Sequence, residues 1–284
     1  MDTGSYTGFD VSLEKPGIAW VEFNEPEKLN GMTSAKKRDL IELVTQAQMD
    51  NAVRVVVFIS TGRGFCAGDN LKGYAGEQGA GSPIPDISHG HDSGIGTYNG
   101  LRHISQALNL AIRKLDKVTI AAINGVAVQT GLSLALSCDF KIAAEDARLG
   151  SATLRFGLLP DEGGQYLLVQ HMGVARTIEF LLRKKIVMAE EALALGLINQ
   201  VVPADQLRRE VQELALELAN GPQVSTRLLK RSVYQAAELS FEQACEDIAA
   251  RTAISDHHPD ASEGGTSFRE KRAPIFNEWL KDYE

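Results

Sequence analysis

Two short turns carry the residue types that could do chemistry. The first is Phe65-Cys66-Ala67-Gly68-Asp69-Asn70-Leu71 and the second is Asn124-Gly125-Val126-Ala127-Val128-Gln129-Thr130-Gly131. Each follows an apolar run that reads as a buried strand, and the second leads into an apolar helical stretch. A turn at the carboxyl end of a strand can leave backbone N–H groups pointing into a cleft. At a helix N-terminus the orphan N–H groups and the helix dipole favour negative charge. Two such groups converging on one oxygen would form an oxyanion hole, often the largest electrostatic contribution in acyl chemistry. Glycine-containing strand–helix turns are common, so the pairing alone names no reaction.

Other chemical motifs find little support. GxxxxGK[ST], HExxH and GxSxG are all missing, which leaves P-loop, zincin and α/β-hydrolase readings without a basis. His89 with His91, and His257 with His258, could touch a metal, but neither pair has nearby thiolates or a matching distal pair in sequence. Solvated loop histidines are the expectation, and no metal is expected. Cys66, Cys138 and Cys245 lack CxxC spacing and are expected to be buried, inert small hydrophobes.

The elements that must position the two turns follow from the apolar pattern. Residues 18–23 read as a short strand, followed by a turn over 24–28. Ser34 is expected to cap a helix whose Leu40, Ile41 and Val44 recur at helical spacing. Residues 53–60 (VRVVVFIS) are β-branched and nearly uninterrupted, as in a strand covered on both faces. Strand, helix, strand in this order predicts a right-handed crossover and parallel pairing. Residues 74–100 are rich in Gly, Ser, Pro and His without a sustained period and are expected to be a long loop. Helical spacing returns over 101–115, a second buried strand is predicted at 118–123, a buried helix over 132–136, and a further strand over 140–144. Beyond Pro203, Leu207, Val211, Leu214, Ala215 and Leu218 share one helical face that ends at Asn220-Gly221-Pro222. The chain is thus expected to divide into an α/β core over 1–203 and a helical, oligomerising C-terminal domain over 204–284.

Composition bounds the partners. Lys+Arg 29 against Asp+Glu 37 leaves a net charge of −8 on 284 residues, a poor general start for gripping a phosphate backbone, so nucleic acid is not expected as a partner. The uncharged stretch 118–138 is long enough to cross a bilayer, but Asn124-Gly125 and Gln129-Thr130-Gly131 interrupt it, so no membrane span is expected. Sparse, odd cysteines and a start without an apolar h-region predict a reduced, cytoplasmic setting.

The residues themselves resemble the enoyl-CoA hydratase/isomerase family, the crotonase superfamily. The resemblance lies in Asn24-Glu25-Pro26-Glu27-Lys28-Leu29-Asn30, GFCAGDNL, AAINGVAVQTGLSLALSCDFKIAAEDARLG and LLPDEGG, and in the tail residues Glu263, Gly264, Phe268, Lys271, Arg272 and Pro274. It runs in one register from about Phe9 to the end. It implies a spiral of βαβ units with a C-terminal helical domain, assembled as a homotrimer or a dimer of trimers. It implies an acyl-coenzyme A thioester as substrate, with coenzyme A entering only as part of that substrate and no separate cofactor. The thioester carbonyl would sit between the backbone N–H groups of Asp69 and Thr130. The adenine and pantetheine would lie along Glu27 to Asn30, including Lys28 and Leu29, and along Ala67 to Asp69, including Gly68, with Lys28 or Lys271 meeting the phosphates; Asn70 and Gly131 would also bind the substrate.

The sequence departs from the family where the resemblance implies catalysis. Hydratases of the family use two glutamates; Ser133 and Thr153 stand in those places here. Neither titrates near neutrality, so neither replaces a carboxylate base unaided. The usual Gly-Gly-Gly becomes Gln129-Thr130-Gly131. One carboxylate stands at another family position: Asp161 matches the aspartate of some dienoyl-CoA and ring-epoxide acyl-CoA isomerases and of 4-chlorobenzoyl-CoA dehalogenases. Burial in an apolar pocket would raise its pKa and make it a better base. The alternative is that Asp161 caps the following helix. Its neighbour Glu162 is expected to point elsewhere and at most to line the substrate. Isomerisation through Asp161 leads; hydration, hydrolysis or cleavage of a cyclic acyl-CoA with help from His89 or His91 is the enzymatic rival, and a catalytically silent acyl-CoA-binding subunit is the rival of another class.

Overall fold

The computed structural model describes residues 1–70 and 93–283, so His89, His91, Leu71 and most of the expected long loop lie outside the described residues. Two sheets form the frame. The larger has the order β1 (Gly4–Tyr6), β2 (Phe9–Glu14), β3 (Ile18–Phe23), β4 (Val55–Ser60), β6 (Val118–Ile123), β8 (Phe140–Ala144), β11 (Gln200–Val202). The smaller has the order β10 (Ile186–Met188), β9 (Arg148–Gly150), β7 (Val126–Val128), β5 (Gly64–Cys66). From β3 onward the large sheet is parallel, and β5, β7 and β9 pair in parallel in the small one.

This is the α/β spiral, and each turn of the chain adds one strand to each sheet: β4 then β5, β6 then β7, β8 then β9. Strands β4 and β6 are buried at every position. Their side chains alternate between two cores, Val56 and Phe58 on one face, Val55, Val57 and Ile59 on the other. That arrangement explains why they read as unbroken apolar runs rather than as alternating ones. The short strands β10 and β11 carry too few residues to signal in the sequence, and neighbouring strands impose them.

The described helices are α1 (Ser34–Met49), α2 (Gly94–Gly100), α3 (Gln106–Lys114), α4 (Thr130–Ser137), α5 (Gly164–Leu182), α6 (Ala189–Ala194), α7 (Leu207–Asn220), α8 (Gln223–Ala236), α9 (Phe241–Asp256) and α10 (Pro259–Glu270). The cap of α1 is Thr33, not Ser34: the Thr33 hydroxyl accepts from the Lys36 N–H at 3.1 Å, and Ser34 is already helical. The expected loop ends earlier than its composition suggested, because Ser93 caps α2 and a π-helical turn at Leu101–Ser105 runs it directly into α3. Glycine content argued against a helix at 94–100, and continuity with the amphipathic stretch behind it overrides that preference.

Helix α7 lies on the large sheet, burying Leu207, Val211, Ala215 and Ala219 against Ile18, Trp20, Val55 and Ile120 in one cluster. Full burial of a Leu or Val side chain is worth roughly 1.5–3 kcal/mol, which fixes this first C-terminal helix to the core. Cys66 and Cys138 are buried as expected; Cys245 on α9, a helix with no buried residue, is exposed, correcting that expectation. Among the described residues no helix is long and apolar enough to cross a membrane.

Candidate active site

Close backbone packing brings the two turns together. A Cβ on Gly131 would lie 2.1 Å from the Cys66 carbonyl oxygen, and one on Gly125 would lie 2.3 Å from that of Arg63. Gly68, at φ 101°, would bring a Cβ 3.1 Å from the Cβ of Gln129. Only glycine permits this approach at 131, and the approach places Asp69 beside Thr130: the Thr130 hydroxyl donates to Asp69 Oδ1 at 2.7 Å.

Backbone geometry at each turn aims its peptide groups. Gln129 holds φ 55°, ψ −116° immediately before α4, a conformation that L-residues seldom adopt. Its side chain supplies the compensation. With the amide oxygen facing the backbone, it accepts from the N–H groups of Ala152 and Thr153 at 3.0 and 2.9 Å while its nitrogen donates to Ser151 Oγ at 3.2 Å. The first turn is held from the other side. Met32 N–H donates to the Gly68 carbonyl at 2.9 Å, Asn70 N–H to the Met32 carbonyl at 2.8 Å, and Ala67 N–H to the Leu29 carbonyl at 3.1 Å. Leu29 and Asn30 are both left-handed, at φ 51° and 55°. Asn30 fixes the segment by donating to the carbonyls of Thr61 and Gly64 at 2.9 and 2.7 Å. Lys28 is half-exposed and pairs with Glu25 at 2.6 Å; Lys271 is exposed in the left-handed cap of α10.

Of the adjacent pair Asp161 and Glu162, the structure buries the one that was not expected to be catalytic. Asp161 is exposed, and Glu162 is 5% exposed. The amides of α3 set this orientation: Gln106 Nε2 donates to the Asp161 carbonyl at 2.9 Å and Asn109 Nδ2 to the Glu162 carbonyl at 2.8 Å. The N-cap position of the following helix is Gly163, at φ 86°, and not Asp161. Glu162 turns inward, contrary to the expectation that it would point away from the site.

Inside, Glu162 Oε1 meets the ammonium of Lys37, which is fully buried. The same Lys37 Nζ lies 2.8 and 3.0 Å from the two oxygens of Asp69 and donates to Ser105 Oγ at 2.9 Å. Burial pushes the Glu162 carboxyl up to about 6; Lys37 pulls it back down, and the Asp69 charge pushes it further up. Its Oε2 is buried without a hydrogen-bond partner among the described residues. Burial also pushes the Cys66 thiol up to about 12, so the sulfur beside the first turn is no nucleophile at neutral pH.

Ser133 is buried, and a Cβ on Gly164 would lie 3.2 Å from its Oγ, so the first glutamate place faces the start of α5. Thr153, at the second, is half-buried in a 3₁₀ turn, Thr153–Phe156. Lys37, Ser105 and Asn109 were missed from sequence. A signal for Lys37 existed: it shares the i, i+3, i+7 stripe of Leu40 and Val44, a place where an apolar residue is the norm. Ser105 ends the π-helical turn, a feature that recurs at functional sites.

Known proteins resemble this chain over nearly its whole length. The family model for enoyl-CoA hydratase/isomerase matches residues 14–279. The chain is 32% identical over 274 residues to 1,2-epoxyphenylacetyl-CoA isomerase of Escherichia coli (strain K12), covering 94% of this chain and 98% of that one. It is 31% identical over 259 residues to carnitinyl-CoA dehydratase of Proteus mirabilis (strain HI4320), covering 89% and 91%. The crystal structure of enoyl-CoA hydratase from Bacillus anthracis superposes with a TM-score of 0.85 at 27% identity, covering 95% and 98%.

Proposed function

The chain belongs to the enoyl-CoA hydratase/isomerase family and is an acyl-CoA enzyme of the isomerase and hydratase type; from that premise we propose that it isomerises an enoyl- or ring-acyl-CoA with one carboxylate as acid and base. The observation that carries this reading is the contact of the two turns, Gly131 against the Cys66 carbonyl, together with the lack of any carboxylate at 133 and 153.

The thioester oxygen lies between the backbone N–H groups of Asp69 and Thr130. Removing a proton next to the thioester moves an electron pair onto that oxygen, and the N–H groups stabilise the enolate as it forms. Asp161 takes the proton and returns it at another carbon. The product then has the atoms of the substrate, so no water is consumed and no cofactor beyond the substrate's own coenzyme A is called for. Lys28, Leu29, Ala67, Gly68, Asn70 and Gly131 line the pantetheine path, with Lys28 or Lys271 at the phosphates. Ser133, Thr153 and Glu162 border the acyl group.

A second reading has a specific observation behind it. Glu162 is the buried carboxylate of the pair, raised to about 6, and a base of that pKa transfers protons effectively near neutrality. Asp161→Asn and Glu162→Gln separate the readings. The variant that removes the proton carrier loses about 10²–10⁴ in rate while keeping its affinity for a saturated acyl-CoA. The reaction class is tested by mass spectrometry on a panel of enoyl- and ring-acyl-CoA thioesters. Isomerisation leaves the mass unchanged and shifts retention; a product heavier by one water overturns it.

The assembly is a homotrimer or a dimer of trimers. Supporting this are the exposed apolar side chains of the C-terminal helices, among them Leu229, Val233, Phe241, Ile248 and Phe268, the last at 85% exposure. Isolated apolar residues on a surface are ordinary, but a series along successive helices marks an interface.

A further inference from the structure

The reading above, on which this inference rests, gathers negative charge where negative charge already stands. An enolate oxygen held by the N–H groups of residues 69 and 130 would develop beside the Asp69 carboxylate, whose side chain is 27% exposed. Like charges a few ångströms apart in a partly desolvated site oppose each other strongly, so an aspartate at an oxyanion turn needs a counter-charge.

Lys37 supplies one from the far side. Its buried Nζ lies 2.8 Å from Asp69 Oδ1 and 3.0 Å from Oδ2, pairs with Glu162 Oε1, and donates to Ser105 Oγ at 2.9 Å. Asp69 Oδ1 in turn accepts from the Thr130 hydroxyl at 2.7 Å. One ammonium from α1 thus joins the first turn, through Asp69 and Thr130 the second turn, and through Glu162 the turn ahead of α5. A fully buried lysine is costly unless it is paired; here the pairing partners are the side chains next to the reacting atoms.

We propose that Lys37 is a positioning residue of the oxyanion site: its ammonium balances the Asp69 and Glu162 carboxylates and fixes Asp69 against Thr130, so that an enolate can form there. Lys37 touches no substrate in this role. It acts through Asp69, and its removal should weaken enolate binding while leaving ground-state thioester binding in place.

The test uses a β-ketoacyl-CoA thioester, whose enolate is followed by its near-ultraviolet absorbance, and a saturated acyl-CoA as the ground-state probe. On the wild-type protein the bound β-ketoacyl thioester should enolise at lower pH than in free solution. Lys37→Met should raise that apparent pKa by about one unit or more, a tenfold loss of enolate preference, with the affinity for the saturated thioester within about threefold of wild type. A merely structural lysine would move the melting temperature and both affinities together. A folded Lys37→Met with unchanged enolisation overturns the proposal. Should Lys37→Met fail to fold because it strands Glu162, the comparison is made between Glu162→Gln and Glu162→Gln with Lys37→Met, and the same unchanged pKa overturns it. A wild-type protein that binds the saturated thioester yet leaves the probe's enolisation at its solution value instead overturns the oxyanion reading itself.

Discussion

At the scale of single residues, two adjacent carboxylates have opposite surroundings. Asp161 faces outward and Glu162 faces Lys37. The raised Glu162 carboxyl has a consequence for stability that activity does not touch. Its folded-state pKa lies above the ordinary 4.5, at about 6, so the folded protein holds that proton more tightly than the unfolded chain does. The contribution is fully present below pH 4.5 and is lost as pH rises through 6. Relative to Glu162→Gln, wild type should therefore lose of order 2 kcal/mol across that window. Denaturant titrations of both proteins at pH 4.5 and pH 7 check this; a constant difference would mean that the carboxyl titrates normally. Gly131→Ala would press a methyl group into the Cys66 carbonyl, 2.1 Å away. A loss of about 3 kcal/mol is expected, read as a lowered denaturation midpoint.

At the scale of elements, the start of α4 decides the site's shape. Gln129 combines a strained backbone with side-chain bonds to the segment 151–153. Replacing it by alanine removes the bonds and keeps the strain, whereas glycine removes both. Gln129→Gly should accordingly be more stable than Gln129→Ala by about 1 kcal/mol, a ranking that equilibrium unfolding measures directly. Ordinary stability differences between the two in the reverse order would show that the turn relaxes. The cap of α1 offers a plainer case: Thr33→Ala removes the acceptor for the Lys36 N–H and should cost about 1 kcal/mol. Because α1 also carries Lys37, fraying at this cap should reach the site, and thermal unfolding of Thr33→Ala with and without a saturated acyl-CoA tests that coupling.

At the scale of the whole molecule, the exposed apolar side chains of α8, α9 and α10 predict association. Light scattering at micromolar concentration should give the mass of a trimer or hexamer, and a monomer would contradict it. The overall charge of −8 says little about the site, where one buried cation faces two carboxylates. Local charge balance rather than net charge governs a low-dielectric cluster.

The sequence by itself determined a good deal. Unbroken β-branched runs named β4 and β6 because strands buried on both faces need no polar alternation. The order of several motifs named the family, since spaced residues in one register seldom coincide by chance. The glycine-containing turns at 65–71 and 124–131 marked where N–H groups could face a cleft, and the fold shows that their backbones meet at Gly131. What the tertiary structure alone decided is which charges meet. Burial and electrostatic partners depend on distance in space, and Lys37, Asp69 and Glu162 are spread over 125 residues of chain. Local pattern favoured Asp161 over Glu162, and the fold buries the other: α3 grips both carbonyls through Gln106 and Asn109, and only the second side chain is turned inward. Desolvation then acts on Glu162, and no periodicity in the sequence encodes that choice, because it is made by a helix that arrives from elsewhere in the fold.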